Sequence, residues 1–241
     1  MKGLIAAIQF LTRLPTPRIA VTDAAFARSM RWFPMVGLIL GLFITMSARL
    51  GCLIDGWTGA LLALLTWVLL TGALHLDGLG DIADAAGAAH KGKDGAHLRA
   101  ILADPHVGSF AVVAIGAQLV TKLVLLHALL ERSLLLPLVL IPFAARIAPL
   151  VWTRTLPPLH EGLGSRFRQF VRTSDLLIWS LSLIAASCFV PALVATPLLL
   201  LLWGLWLRRR IGGISGDGHG AGIELIESGL LLASLLWAAL G

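Results

Sequence analysis

The sequence predicts an all-α polytopic membrane protein, a bundle of about seven transmembrane helices joined by polar loops. Of its 241 residues 58% are hydrophobic and only 13% charged, and the mean hydropathy is +0.89, far from the balance of a water-soluble domain. Windows such as Ala60 to Leu74 and Leu134 to Leu150 are almost unbroken Leu, Ala, Val and Ile. About 20 such residues span the hydrocarbon of a bilayer.

Taken in order, residues 1–15 form a short apolar stretch interrupted by Gln9, Thr12 and Arg13, with no small-residue cleavage site after it. This pattern predicts an interfacial or packed helix and not a signal peptide. Windows bounded by charge or by Pro and Gly then predict spans over Phe33 to Leu53, Gly59 to Leu79, Ser109 to Leu130, Leu134 to Trp152, Leu176 to Val190, Ala192 to Leu207 and Ile223 to Leu240. Pro191 and Pro197 interrupt the fifth and sixth, which alternatively read as one kinked segment or a re-entrant pair. There is no internal repeat and no low-complexity tail, so residues 1–241 read as a single membrane domain.

Orientation follows from the basic residues. Fifteen of the nineteen Lys and Arg fall in residues 1–32, 80–108, 153–175 and 208–222. Short positively charged loops stay on the cytoplasmic side. The N-terminus and these loops are therefore expected in the cytoplasm of a bacterial cell, with the spans in the inner membrane. The net charge of +6 is spread over several loops without forming one stripe, which argues against nucleic acid. Cys52 and Cys188 lie in apolar runs without a CxxC partner, so neither a disulfide framework nor a thiolate metal site is expected.

The strongest chemical signal is His75-Leu76-Asp77-Gly78-Leu79-Gly80-Asp81-Ile82-Ala83-Asp84, at the end of the second predicted span. On a helix, Asp77, Asp81 and Asp84 project from one face within about 60° of one another, and His75 points nearly opposite. Carboxylates this close repel one another and call for a cation. An all-oxygen donor set favours magnesium or calcium over zinc. A solvated helix end, salt-bridged to Lys91, Lys93 or Arg99, is the structural alternative.

Two further segments carry candidates. Arg99 offers a planar fork for phosphate and Asp104 a further oxygen ligand or a general base. The run Gly212-Gly213-Ile214-Ser215-Gly216-Asp217-Gly218-His219-Gly220-Ala221-Gly222 lets backbone N–H groups approach an anion, with Gly213 and Gly216 as candidate contacts and Asp217 as a metal ligand. It is no Walker loop, because the Lys-Ser/Thr pair is absent, and a plain linker is the alternative. Glu224 and Glu227 follow at the membrane edge, where acids are functional by default. Arg13, Arg31, Arg146 and Arg154 are each able to bind phosphate, to anchor the membrane edge or to pair internally.

With these motifs in this order, the chain resembles the cobalamin synthase (adenosylcobinamide-GDP ribazoletransferase) family almost end to end. The likeness includes Phe10-Leu11-Thr12-Arg13-Leu14-Pro15, Arg31-Trp32-Phe33-Pro34-Met35-Val36-Gly37, the His75 to Asp84 block, and the Asp104 to Gly108 and Gly212 to Glu227 segments. It departs at Pro157 to Gly164, where an aromatic residue and an Arg are expected before Glu-Gly-Leu-Gly. Neither that position nor His106 is carried over.

The resemblance implies a magnesium-dependent transfer in which adenosylcobinamide-GDP and α-ribazole, or its 5'-phosphate, are joined and GMP is released. Taken with the residue readings above, metal ligation is expected from Asp77, Asp81, Asp84 and Asp217, catalysis from Asp104, Arg99 and His75, and substrate contacts from Arg13, Arg31, Gly213, Gly216, Glu224 and Glu227. The lipid bilayer is the expected surrounding, no nucleic acid is expected as a partner, and a homo-oligomer is compatible with the sequence. A CDP-alcohol-type phosphotransferase is the nearest competitor, but Asp81 and Ile82 follow Gly80 where its motif requires another pair. An ion- or proton-coupled transporter would place its acids in mid-membrane, and a non-catalytic scaffold leaves the convergent carboxylates unexplained.

Overall fold

The computed structural model describes residues 2–17, 19–20, 22–88, 106–159 and 163–240. Helices α1 (Lys2–Leu11), α2 (Asp23–Ala27) and a 3-10 turn (Arg28–Trp32) lead into α3 (Phe33–Gly51). There follow α4 (Gly56–Thr71), α5 (Leu74–Ala88), α6 (Ser109–Glu131), α7 (Leu136–Ala145) and α8 (Ala148–Thr155). The chain ends with α9 (Leu163–Phe170), α10 (Thr173–Ser187), a 3-10 turn (Pro191–Ala195), α11 (Thr196–Arg210) and α12 (Gly216–Leu240). Among the described residues the one β-like feature is an isolated bridge between Pro158 and Ile214.

The predicted class holds: this is an all-α polytopic membrane protein. Its outer surface is apolar, with Leu42, Phe43, Met46, Val113, Val120, Leu181 and Leu201 all exposed, as lipid contact requires and water disfavours. The count of seven spans is not reached. Among the described residues five helices are long and apolar enough to cross a membrane, or six if one bent pair counts as a span.

Two predicted spans account for the difference. The second, Gly59 to Leu79, breaks at Gly72 (φ 60°) and Ala73 (φ 58°), and α5 turns 83° away from α4. Gly tolerates the left-handed region freely, so the break falls there. Arg13 lies where a Gly72 side chain would stand, and its N–H donates to the Leu70 carbonyl at 2.7 Å. That contact fastens the end of α1 to the corner. The fifth, Leu176 to Val190, corresponds to a helix of 15 residues, about 22 Å long and short of a bilayer core.

The last span also begins earlier than predicted, at Gly216 instead of Ile223. Ser215 starts it: its hydroxyl accepts from the Gly218 N–H at 3.0 Å, an N-cap bond. The glycines that read as a permissive loop are thus mostly helical, and their value is close approach. A methyl group on Gly220 would lie 3.3 Å from the His75 Cα, and one on Gly218 would lie 3.1 Å from Ile214. Gly222 lies against Trp152 and Trp203. Helix α12 is consequently the centre of the molecule, packed on α5, α6, α7, α8 and α11.

Small residues serve the same purpose between α3 and α7, where Gly37 and Gly41 meet the backbone of Pro142 and Val139. Helix α7 ends just beyond Pro142. The Arg146 N–H turns to the Phe143 carbonyl at 3.2 Å, and the Pro142 carbonyl, left over, accepts instead from Arg146 Nη1 at 2.9 Å. The break thereby seats a guanidinium inside the bundle.

Candidate active site

Helices α5 and α12 run antiparallel, since His75 faces Gly220 while Gly78 faces Asp217. A methyl group on Gly78 would stand 2.9 Å from the Asp217 Cα, so the glycine allows the two backbones to touch. This crossing brings the acids of one helix to the acid that opens the other. Asp81 feels the charges of Asp217, Asp77 and Asp84 together. Asp77 is exposed, whereas Asp81, Asp84 and Asp217 are half-buried. Three sequence candidates on one helix and a fourth from a distant segment therefore share one site.

Asp84 has a second task that the sequence did not reveal. Its carboxylate accepts from the backbone N–H of Gly108 at 2.7 Å and of Ala111 at 3.1 Å. It caps α6 from another helix, satisfying orphan donors and complementing the helix dipole. Among the described residues no group of three or more His, Cys, Asp or Glu side chains is placed so as to hold a metal ion by itself. The donor chemistry still suits a hard divalent ion: crowded, partly exposed carboxylates supply some oxygens, and phosphate and water supply the rest. Asp77, Asp81 and Asp217 fit that role best, because Asp84 is already engaged by two N–H groups.

Beside the acids lies a cavity of about 330 Å³. Phe10, Phe33 and Phe167 wall it, Asp77 and Asp217 stand on its lining, and His75 and His219 reach it from α5 and α12. Phe33 packs on Phe10 and Phe167 with ring centroids 5.9 and 6.3 Å apart. Both histidines are buried. His75 places Nδ1 3.5 Å from Arg146 Nη2, and His219 places Nε2 3.3 Å from the Thr153 hydroxyl. Among the described residues His75 Nε2 and His219 Nδ1 have no hydrogen-bond partner.

The remaining candidates separate. Glu224 and Glu227 are not on the cavity; they are buried in an ion network, Lys122 bonding Glu224 at 2.7 Å and Glu227 at 2.6 Å, and Arg146 bonding Glu227 at 2.8 Å. Gln118 Nε2 donates to Glu224 at 2.9 Å, and Lys122 lies 4.3 Å from the Trp67 ring. Two cations match two anions, which is how charge is tolerated inside a membrane bundle. The expected substrate contacts from Glu224 and Glu227 thus give way to internal pairing, and so does phosphate binding by Arg146.

Arg154 donates to the Val171 carbonyl at 2.7 Å. Arg13 is exposed at the α4–α5 corner, and Arg31 is exposed with its guanidinium 5.7 Å from the Trp32 ring. Gly213 packs on the Pro157 carbonyl and Gly216 lines the cavity. Arg99 and Asp104 lie outside the described residues.

As cavity-lining residues His219, Phe10, Phe33 and Phe167 were missed in the sequence, although all but Phe167 sat inside segments already singled out. Lys122 and Arg146, lone cations within spans, were the available sign that Glu224 and Glu227 had partners.

Fold and site together define an integral-membrane protein with a carboxylate-rich site at a helix crossing, backed by an aromatic cavity. Residues 3–235 match the family described as Cobalamin-5-phosphate synthase, and the chain belongs to that family. It is 61% identical over 237 residues to the adenosylcobinamide-GDP ribazoletransferase of Novosphingobium aromaticivorans, covering 97% of this chain and 96% of that one. It is 47% identical to the protein of that description in Thiobacillus denitrificans, covering 96% and 94%. A third, from Pseudomonas aeruginosa, is 36% identical with 98% of each chain covered. No solved structure matches.

Proposed function

We propose that this chain is a magnesium-dependent adenosylcobinamide-GDP ribazoletransferase of the bacterial inner membrane, with its acidic site open to the cytoplasm. A ribose hydroxyl of α-ribazole, or of its 5'-phosphate, attacks the phosphorus attached to the cobinamide arm. A new P–O bond forms, the phosphoanhydride bond to GMP breaks, and GMP leaves with the electron pair. The observation that carries this reading is the convergence of Asp77, Asp81, Asp84 and Asp217 at the Gly78–Asp217 crossing.

Magnesium, when bound, neutralises charge on the diphosphate and on the transferring phosphoryl group. Asp77, Asp81 and Asp217 would hold it. A carboxylate that is not so engaged takes the hydroxyl proton, and Asp104 enters the proposal for that role from the sequence alone, as Arg99 does for phosphate. Asp84 keeps the start of α6 fixed against α5, which holds the acid-bearing face in register.

The cytoplasmic orientation rests on the basic loops. The backbone bonds Ile214 to Pro157 at 2.9 Å and Leu159 to Ile214 at 3.0 Å support it, because they tie two of those loops to one end of the bundle.

The test is GMP release and cobalamin formation by purified protein supplied with adenosylcobinamide-GDP, α-ribazole and magnesium. Turnover that stops on chelation and returns with magnesium is expected. Folded protein that gives no product with either acceptor contradicts the proposal.

A further inference from the structure

We propose that the cavity behind the carboxylates is the seat of the acceptor's aromatic base, and that the His75 Nε2–H donates a hydrogen bond to that base. The inference rests on the transferase reading above and adds to it a place and a recognition chemistry for one of the two substrates.

Size comes first. A cavity of about 330 Å³ admits a bicyclic heteroaromatic base with part of its sugar and has no room for a corrin macrocycle. The acceptor's base and the guanine of the donor both meet that limit.

Wall chemistry separates them. Guanine carries donors and acceptors around most of its edge, and each would need a partner once buried. Most of the wall is apolar, from Phe10, Phe33 and Phe167 with Leu11, Met30 and Leu74. Its polar side chains are His75, His219, Asp77 and Asp217, and the two aspartates are assigned above to the cation. A benzimidazole attached to ribose has an apolar rim and one ring nitrogen free to accept. Its flat faces suit aromatic neighbours.

The tautomer of His75 supplies the matching donor. A guanidinium has only N–H donors, so the Nδ1 of His75, 3.5 Å from Arg146 Nη2, turns its lone pair toward it. The neutral ring then carries its proton on Nε2. That N–H is buried on the cavity lining and has no partner among the described residues, an arrangement that costs free energy until an acceptor arrives. Glu227 holds Arg146 at 2.8 Å, so the buried ion network fixes the orientation of the imidazole. With the base seated there, the ribose lies toward Asp77 and Asp217, where the transfer takes place.

The experiment is steady-state kinetics of the purified full chain with both substrates varied. α-Ribazole is compared with the riboside in which the acceptor ring nitrogen is replaced by CH. His75→Phe keeps an aromatic ring but removes the donor, His75→Gln restores an N–H, and Gly216→Leu fills the cavity. At Gly216 an added Cβ meets nothing within 4 Å, so that variant keeps the fold.

In the wild type the nitrogen-bearing acceptor should be favoured roughly tenfold, the worth of one buried hydrogen bond. His75→Phe should lose that preference and raise the KM for α-ribazole by a similar factor, with His75→Gln recovering part of it. Gly216→Leu should raise the same KM, and the KM for the GDP-bearing donor should stay within twofold in every variant. A preference that persists in His75→Phe, or a rise in donor KM alone, overturns the inference while leaving the transferase reading intact. No turnover in the wild type overturns both.

Discussion

Gly78 rests directly on the backbone of Asp217: a methyl group added to the glycine would stand 2.9 Å from both the Cα and the carbonyl oxygen of the aspartate. This contact sets how near the acids of α5 lie to the acid that opens α12. Gly78→Val should push the helices apart and cost about 1 to 3 kcal/mol, the usual penalty of overpacking. Thermal unfolding in detergent reads the stability loss, and GMP release should fall further than the remaining folded fraction explains. Full specific activity in the folded fraction would show that the crossing does not matter to the site.

Asp84 and Asp81 sit on the same helix face but should respond differently. Asp84→Ala removes the acceptor for the Gly108 and Ala111 N–H groups and should cost about 0.5 to 2 kcal/mol, as loss of a helix cap does. That loss should appear without any metal, in melting curves run with a chelator. Asp81→Asn instead removes one of several repelling charges, so it should leave chelated protein no less stable. Equal destabilisation by the two changes would contradict the division of labour.

Glu227 holds two buried cations. Glu227→Gln leaves Arg146 and Lys122 with less negative charge in an apolar setting and should cost about 3 to 5 kcal/mol. Replacing Lys122 and Glu224 together by Met removes a matched pair and should cost much less. Urea or thermal melts of the three proteins check this, and a milder effect in Glu227→Gln than in the double variant would count against the network.

Orientation can be read with thiols. After Cys52 and Cys188 are replaced by Ala, Lys93→Cys and Arg209→Cys should both react with an impermeant reagent in inside-out vesicles and neither in intact spheroplasts. Labelling from opposite faces would separate loops that the proposed site requires on one side.

Much of this arrangement was legible in the sequence because it depends on short spacing. Asp77, Asp81 and Asp84 are predicted on one helix face from their separation alone, and α5 places them so. His75, expected nearly opposite the aspartates, turns toward Arg146 yet lines the same cavity as Asp77 and Asp217. What escaped the sequence depends on distant partners. Glu224 and Glu227 look like exposed site acids until Lys122 and Arg146 are brought against them.

Glycine was the other source of error. In Gly72 it ends a helix and turns the chain by 83°, while from Gly216 onward it lies within a helix and admits its neighbours closely. The residue type is the same in both places, and only the packing partner distinguishes them. Apolarity alone therefore counted the segment around Gly72 as a continuous span.

The central claim is that Asp77, Asp81 and Asp217 hold the cation on which transfer depends. The most direct measurement is GMP release from adenosylcobinamide-GDP and α-ribazole over a magnesium titration, for the wild type and for Asp77→Asn, Asp81→Asn and Asp217→Asn. Each change keeps the side-chain shape and removes one charged oxygen ligand. The account predicts that Asp81→Asn and Asp217→Asn lose turnover by about 100-fold or more while remaining folded, and that Asp77→Asn needs more magnesium to reach its maximum. Near-wild-type turnover with an unchanged magnesium requirement in all three would contradict it.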